Sequence, residues 1–166
     1  AQGSPAESLD GACEHAIAAR DLCPAFTESH IHLASISANG GNSELAARHL
    51  ATARKTSPTS PTVAYASGEL EFDRGTFEQA TRFYRQAIAN SGTQIKPIVT
   101  KLVNDTRFSA PDILQVIPAD SARLYEAAQL SRRMINQPGT DQRLLAQLES
   151  TWLQHALALL TTSEQM

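Results

Sequence analysis

The chain has 166 residues, 42% hydrophobic, 5% aromatic and 19% charged, with a formal net charge of -3. That balance, with basic residues scattered, argues against nucleic acid as the main partner, because neutralising phosphates takes a concentrated basic face. No apolar run approaches the roughly 20 residues needed to span a bilayer, and the N-terminus lacks the basic and apolar regions of a signal peptide, so no direct membrane insertion is expected.

Apolar content supplied largely by Ala and Leu predicts closely packed helices in a single domain spanning residues 1 to 166. Residues 9 to 24, LDGACEHAIAARDLCP, predict a helix that Pro24 stops. Two segments then follow in register with it at a spacing of 34 residues. Ala12 aligns with Ala46 and Ala80, Ala19 with Ala53 and Ala87, Pro24 with Pro58, and Gly41 with Gly75. Gly41 and Gly75 sit where one helix ends and can take the left-handed backbone conformation. Thr76 with Gln79 three residues later reads as a capping box, and Ser60 followed by Pro61 reads as a helix start. Small residues at Ala46, Ala53, Gly68, Ala80 and Ala87 let neighbouring helix axes approach closely.

This pattern resembles the tetratricopeptide repeat family. The resemblance is fullest over 61 to 92, where Gly68, Gly75, Phe77, Ala80, Tyr84 and Ala87 hold the family's spacing. It extends over 27 to 58 through Ala34, Gly41, Ala46, Leu50, Ala53 and Pro58, with His30 and Ala64 where the family often has Trp. Residues 9 to 24 then read as the second helix of a truncated repeat. With no initiator Met and a start inside a repeat, the chain is expected to be a fragment or mature product of a longer protein.

Beyond residue 92 the repeat decays into divergent helices and a cap. Thr93 to Arg107 predicts a helix with Ile95, Ile98, Val99, Leu102 and Val103 as its apolar stripe. A short helix from Pro111 to Ile117 is started by Ser109 and stopped by Pro118. Ser121 to Ile135 predicts a longer one with Leu124, Ala127, Ala128, Leu130 and Met134 buried, and Gln137, Pro138 and Gly139 break it. A last helix from Asp141 to about Thr161 carries Leu144, Leu145, Leu148, Trp152, Ala156, Leu159 and Leu160 on a wide apolar face that needs a cover. The stretch Asp112 to Leu130, DILQVIPADSARLYEAAQL, resembles the soluble tetratricopeptide-like tails of bacterial O-antigen ligase and polymerase proteins. The fold expected from the whole is all-α, a right-handed superhelix of about nine helices.

No catalytic constellation emerges. His30 and His32, two apart on a helix, diverge by about 200° and cannot share a metal ion unaided. His15 and His49 occupy equivalent places in successive repeats, which predicts a repeated outer surface. Cys13 and Cys23 lie about 15 Å apart if both are helical, too far for a disulfide, and two unbridged thiols fit a reducing compartment. No catalytic residue, metal or cofactor is expected.

The family binds peptides along the first helix of each repeat, which implies an inward-facing set of Glu28, Ile31, Ser35, Ala38 and Asn39, followed by Thr62, Tyr65, Glu69, Phe72 and Asp73. The cationic carboxylate clamp that some members place there has no counterpart here. The resemblance therefore implies a non-enzymatic scaffold whose groove favours a basic or apolar segment of a protein partner, or of the rest of its own longer chain. The alternative is an accessory domain of a membrane-bound polysaccharide-assembly protein, the chain forming that protein's soluble tail; a third is a spacer without a ligand. Weak self-association is expected through the unpaired side of residues 9 to 24, at Leu9, Ala12, Ala16 or Ile17.

Overall fold

A computed structural model describes residues 5–137 and 139–163, with side chains described over 11–137 and 139–162. Among the described residues the protein is all-α: nine α-helices, one 3-10 turn and no strand. It forms two compact units, Ala1–Phe83 and Tyr84–Met166, the boundary falling within a helix.

The first unit contains α1 (Pro5–Leu22), α2 (Thr27–Asn39), α3 (Ser43–Thr56), α4 (Pro61–Asp73) and the start of α5 (Phe77–Asn90). The 34-residue register reappears in the backbone itself. Gly41 and Gly75 have φ of 78° and 77°. At the first turn the N–H of Asn42 donates to the carbonyl of Ser37 at 2.8 Å; at the second, the N–H of Thr76 donates to that of Glu71 at 2.9 Å. Both are the same left-handed helix ending, which satisfies carbonyls that would otherwise be orphaned. Ala46 and Ala53 are fully buried on α3, and Ala80 and Ala87 are buried at the matching positions of α5.

Local signals account for the helix starts. Ser60 accepts from the N–H of Val63 with Pro61 in the first turn of α4, as the sequence predicts. Asn42 caps α3 by accepting from the N–H of Leu45 at 3.0 Å. The Thr76 hydroxyl also reaches back to Glu71, 2.9 Å from its carbonyl and 2.5 Å from its carboxylate. Both contacts tie the start of α5 to the end of α4. On the packing level, Ala34, Ala46, Leu50 and Leu70 form a core among α2, α3 and α4, with Ala38, Ala47 and Ala66 against it. Arg54 crosses from α3 to donate to Ser67 Oγ at 3.0 Å while its guanidinium lies 5.1 Å from the Phe83 ring centre. The end of α4 is tied to the start of α3 by Arg74, which donates to the Ser43 carbonyl at 2.6 Å.

The expected exposed side of α1 is only partly found. Ala12 and Ile17 are exposed, but Ala16 is buried against the rest of the unit. The side chain of Leu9 lies outside the described residues.

The second unit holds the remainder of α5, a 3-10 turn over Gly92–Gln94, α6 (Ile95–Val103), α7 (Ala110–Val116), α8 (Ser121–Met134) and α9 (Gln142–Ser163). The segment expected as one helix from Thr93 thus opens with a tighter turn, and all five residues of its apolar stripe are buried. Ser109 and Asp112 form a reciprocal capping box on α7. Leu145, Leu148, Trp152 and Ala156 of α9 are buried. Leu160 is exposed, so the buried stripe of that helix is narrower than the sequence suggests.

Candidate functional site

The described residues include a groove of about 340 Å³ formed by α2, α3 and α4. The helices meet through small side chains, and that is why a groove exists: Ala34, Ala46 and Ala66 leave room that larger residues would fill, while Leu50 and Leu70 make the floor apolar. Ile31, Ser35, Ala38 and Asn39 supply one wall from α2, and Thr62, Tyr65, Glu69 and Asp73 supply the other from α4. Spacings of three and four residues place each set along one helix face.

Two of the sequence-predicted residues do not line this groove. Phe72 is buried at 6% exposure and packs edge-on against Phe77, with ring centres 5.8 Å apart at 73°. An aromatic in that contact contributes core stability and is closed to a ligand. Glu28 lines a separate cleft between α1 and α2, in the company of His15 and His32. Ser35 and Asn39 border both openings. The floor residues Ala34, Ala46, Leu50, Ala66 and Leu70 were absent from the expected set, although the repeat register marks three of them as helix-packing positions.

The polar groups of the groove are acidic or neutral. Glu69 and Asp73 stand one helical turn apart on α4, and no Lys, Arg or His lines the groove. The Tyr65 hydroxyl hydrogen-bonds to the Glu69 carboxylate, and its pKa is raised above 10.0 by burial first, then by the Glu69 charge and that hydrogen bond. The phenol therefore stays neutral and holds the carboxylate at the groove's edge. What results is an apolar floor with fixed negative charge on one wall.

The histidines correct another expectation. His15 and His49, expected on one repeated outer surface, differ: His15 is exposed, like His32, whereas His49 is half-buried beside the buried His30. Among the described residues no group of three or more His, Cys, Asp or Glu is placed to hold a metal ion. Cys13 and Cys23 form no disulfide. No helix among the described residues is long and apolar enough to cross a membrane.

No family model matches the chain, and no curated protein matches its sequence. Among solved structures it is similar to one described as the crystal structure of MamA, at 14% identity over 95% of this chain and 92% of that chain, with a TM-score of 0.48.

Proposed function

We propose that the protein is a non-enzymatic scaffold of tetratricopeptide type that holds a polypeptide segment in the groove between α2 and α4. The supporting observation is the groove's composition: an apolar floor of Leu50 and Leu70 beside two carboxylates, Glu69 and Asp73, with no cation among the lining side chains. A segment suited to it carries an apolar side chain that fills the floor and a Lys or Arg that reaches the acidic wall. That segment comes from a second protein or from another part of a longer chain. The recurrence of left-handed Gly41 and Gly75 and of buried Ala46 and Ala80 supports the repeat assignment on which the groove depends.

Peptide pools matched in apolar content but differing in charge test the reading. Binding is expected for the basic-apolar pool, weakening with added salt. In a Glu69→Gln, Asp73→Asn double variant both the affinity and its salt dependence should fall. Equal retention of basic and acidic pools, or retention that the double variant leaves unchanged, would rule the groove out as the recognition surface.

A further inference from the structure

Two histidines meet inside the α2/α3 hairpin. The ring centres of His30 and His49 lie 5.6 Å apart, inclined at 39°, and their Nδ1 atoms are 3.4 Å apart. On the other side of its ring, His30 Nε2 is 2.9 Å from the carbonyl oxygen of Pro24. A carbonyl can only accept, so Nε2 carries the His30 proton and, in the neutral ring, Nδ1 presents a lone pair. Contact between the two Nδ1 atoms is then attractive only if His49 holds its own proton on Nδ1 and donates it. The two tautomers are fixed by one backbone carbonyl.

This geometry accommodates a pair that is neutral or carries one positive charge. Adding a proton to His49 Nε2 leaves the Nδ1 donor in place. Charging both rings points two N–H groups at each other across 3.4 Å. No carboxylate forms an ion pair with either ring among the described residues. The α1 charge that bears on His49 is Arg20, which holds Asp21 at 2.7 Å. On α3, Arg48 reaches out to Glu44 at 3.4 Å. From α4, Glu69 and Asp73 line the groove, and Glu28 and His32 of α2 line the other cleft with His15. Cys23, beside Pro24, is an exposed thiol. Burial first, then His30, then Arg20 hold the His49 pKa below its ordinary 6.5.

We propose that the His30–His49 pair is a proton-sensitive latch, holding α2 against α3 while at most one imidazole is charged and loosening the hairpin on acidification. A metal ion fits the pair poorly, because two nitrogens leave a tetrahedral site half empty and no third ligand is placed to join them among the described residues. The sign of the effect follows from linkage. A pair that takes up at most one proton while the hairpin is closed binds fewer protons than the unfolded chain, so its contribution is complete above about 6.5 and is lost as the pH falls below this point. Ile31 and Leu50, the chain neighbours of the two histidines, both line the groove. Loosening the hairpin would therefore reshape a groove wall, a consequence that rests on the groove reading although the latch does not.

The test uses the whole chain between pH 7.5 and 5, followed by nitrogen NMR of the imidazoles and by amide exchange corrected for intrinsic rates. His49 is expected as the Nδ1–H tautomer at pH 7.5, with a titration midpoint below 6.5. Protection of amides in Thr27–Asn39 and Ser43–Thr56 should fall several-fold with acidification, while amides of Ser121–Met134 serve as the internal reference. His49→Asn retains an N–H donor near the Nδ1 position but cannot titrate, and its protection should stay level. A His49 midpoint at or above 6.5, an Nε2–H tautomer, or equal loss of protection in parent and variant would overturn the latch. Should the variant fail to fold, the parent's tautomer and midpoint decide alone.

Discussion

Replacing Ala46 with Arg is the sharpest test of the helix register. Ala46 is fully buried on α3 in contact with the core of Ala34, Leu50 and Leu70. An Arg side chain there must either force α2 and α4 away from α3 or leave its guanidinium without water in an apolar core. Overpacking alone costs about 1–3 kcal/mol, and a buried cation without a partner adds several more. A total of roughly 3 kcal/mol or more is a large share of the 5–15 kcal/mol that stabilises a typical domain. In a unit of this size about 4–8 °C accompanies each kcal/mol, so the helical transition that reports on the first unit should fall by more than about 10 °C. Circular dichroism is the suitable probe. The single tryptophan, Trp152, is buried in the second unit and would not report directly on contacts at Ala46. Leu45→Arg is the control, because Leu45 is 40% exposed and its neighbour on the helix surface can be solvated. A melting temperature within a degree or two of the parent for Ala46→Arg would mean that the register is wrong.

The two aromatics of α4, Tyr65 and Phe72, should respond differently to substitution. Phe72→Ala is expected to destabilise the first unit by about 3–5 kcal/mol through a cavity beside Phe77, measured by urea denaturation. Tyr65→Ala, at a half-buried groove position, should leave the fold near parental stability while weakening a groove-bound peptide by roughly 1–3 kcal/mol in calorimetry. Ser109→Ala removes half of the α7 capping box and should cost about 1 kcal/mol in thermal unfolding; a loss under a few tenths would show that the box adds little.

Much of the fold was legible because its determinants are local. Gly41 and Gly75 have to adopt φ near +78° and +77° for the chain to turn, and only glycine does so without strain. Ser60 and Pro61 announce α4 by a cap and a missing donor, features that act within one helical turn. The period of 34 then says that each hairpin repeats, and the buried alanines follow from it. Bonds that reach back across a turn were less legible. Thr76 had the right spacing to Gln79 for a capping box, and what that spacing could not show is that its hydroxyl also reaches back to Glu71, 2.9 Å from the carbonyl and 2.5 Å from the carboxylate. At Thr93 the sequence could not decide between a 3-10 turn and an α-helix, since both bury the stripe that begins at Ile95.

The candidate site was legible to the level of helix faces and no further. Tyr65, Glu69 and Asp73 are separated by four residues each, so one backbone helix places all three along the same wall. Phe72 lies next to Asp73 in the chain, and its direction is fixed by a partner on another helix, Phe77, which no spacing along α4 reveals. The histidines make the same point with chemistry attached. His30 and His49 are nineteen positions apart, and seen separately each is an ordinary helical residue with an unassigned tautomer. Brought together at the α2/α3 contact and tied to the Pro24 carbonyl, they have one compatible arrangement of protons in the neutral pair. What the sequence hides therefore lies at helix contacts: the acidic wall of α4 stands beside an apolar floor to which α3 contributes, and two imidazoles come within 3.4 Å only because the α2/α3 hairpin brings them together.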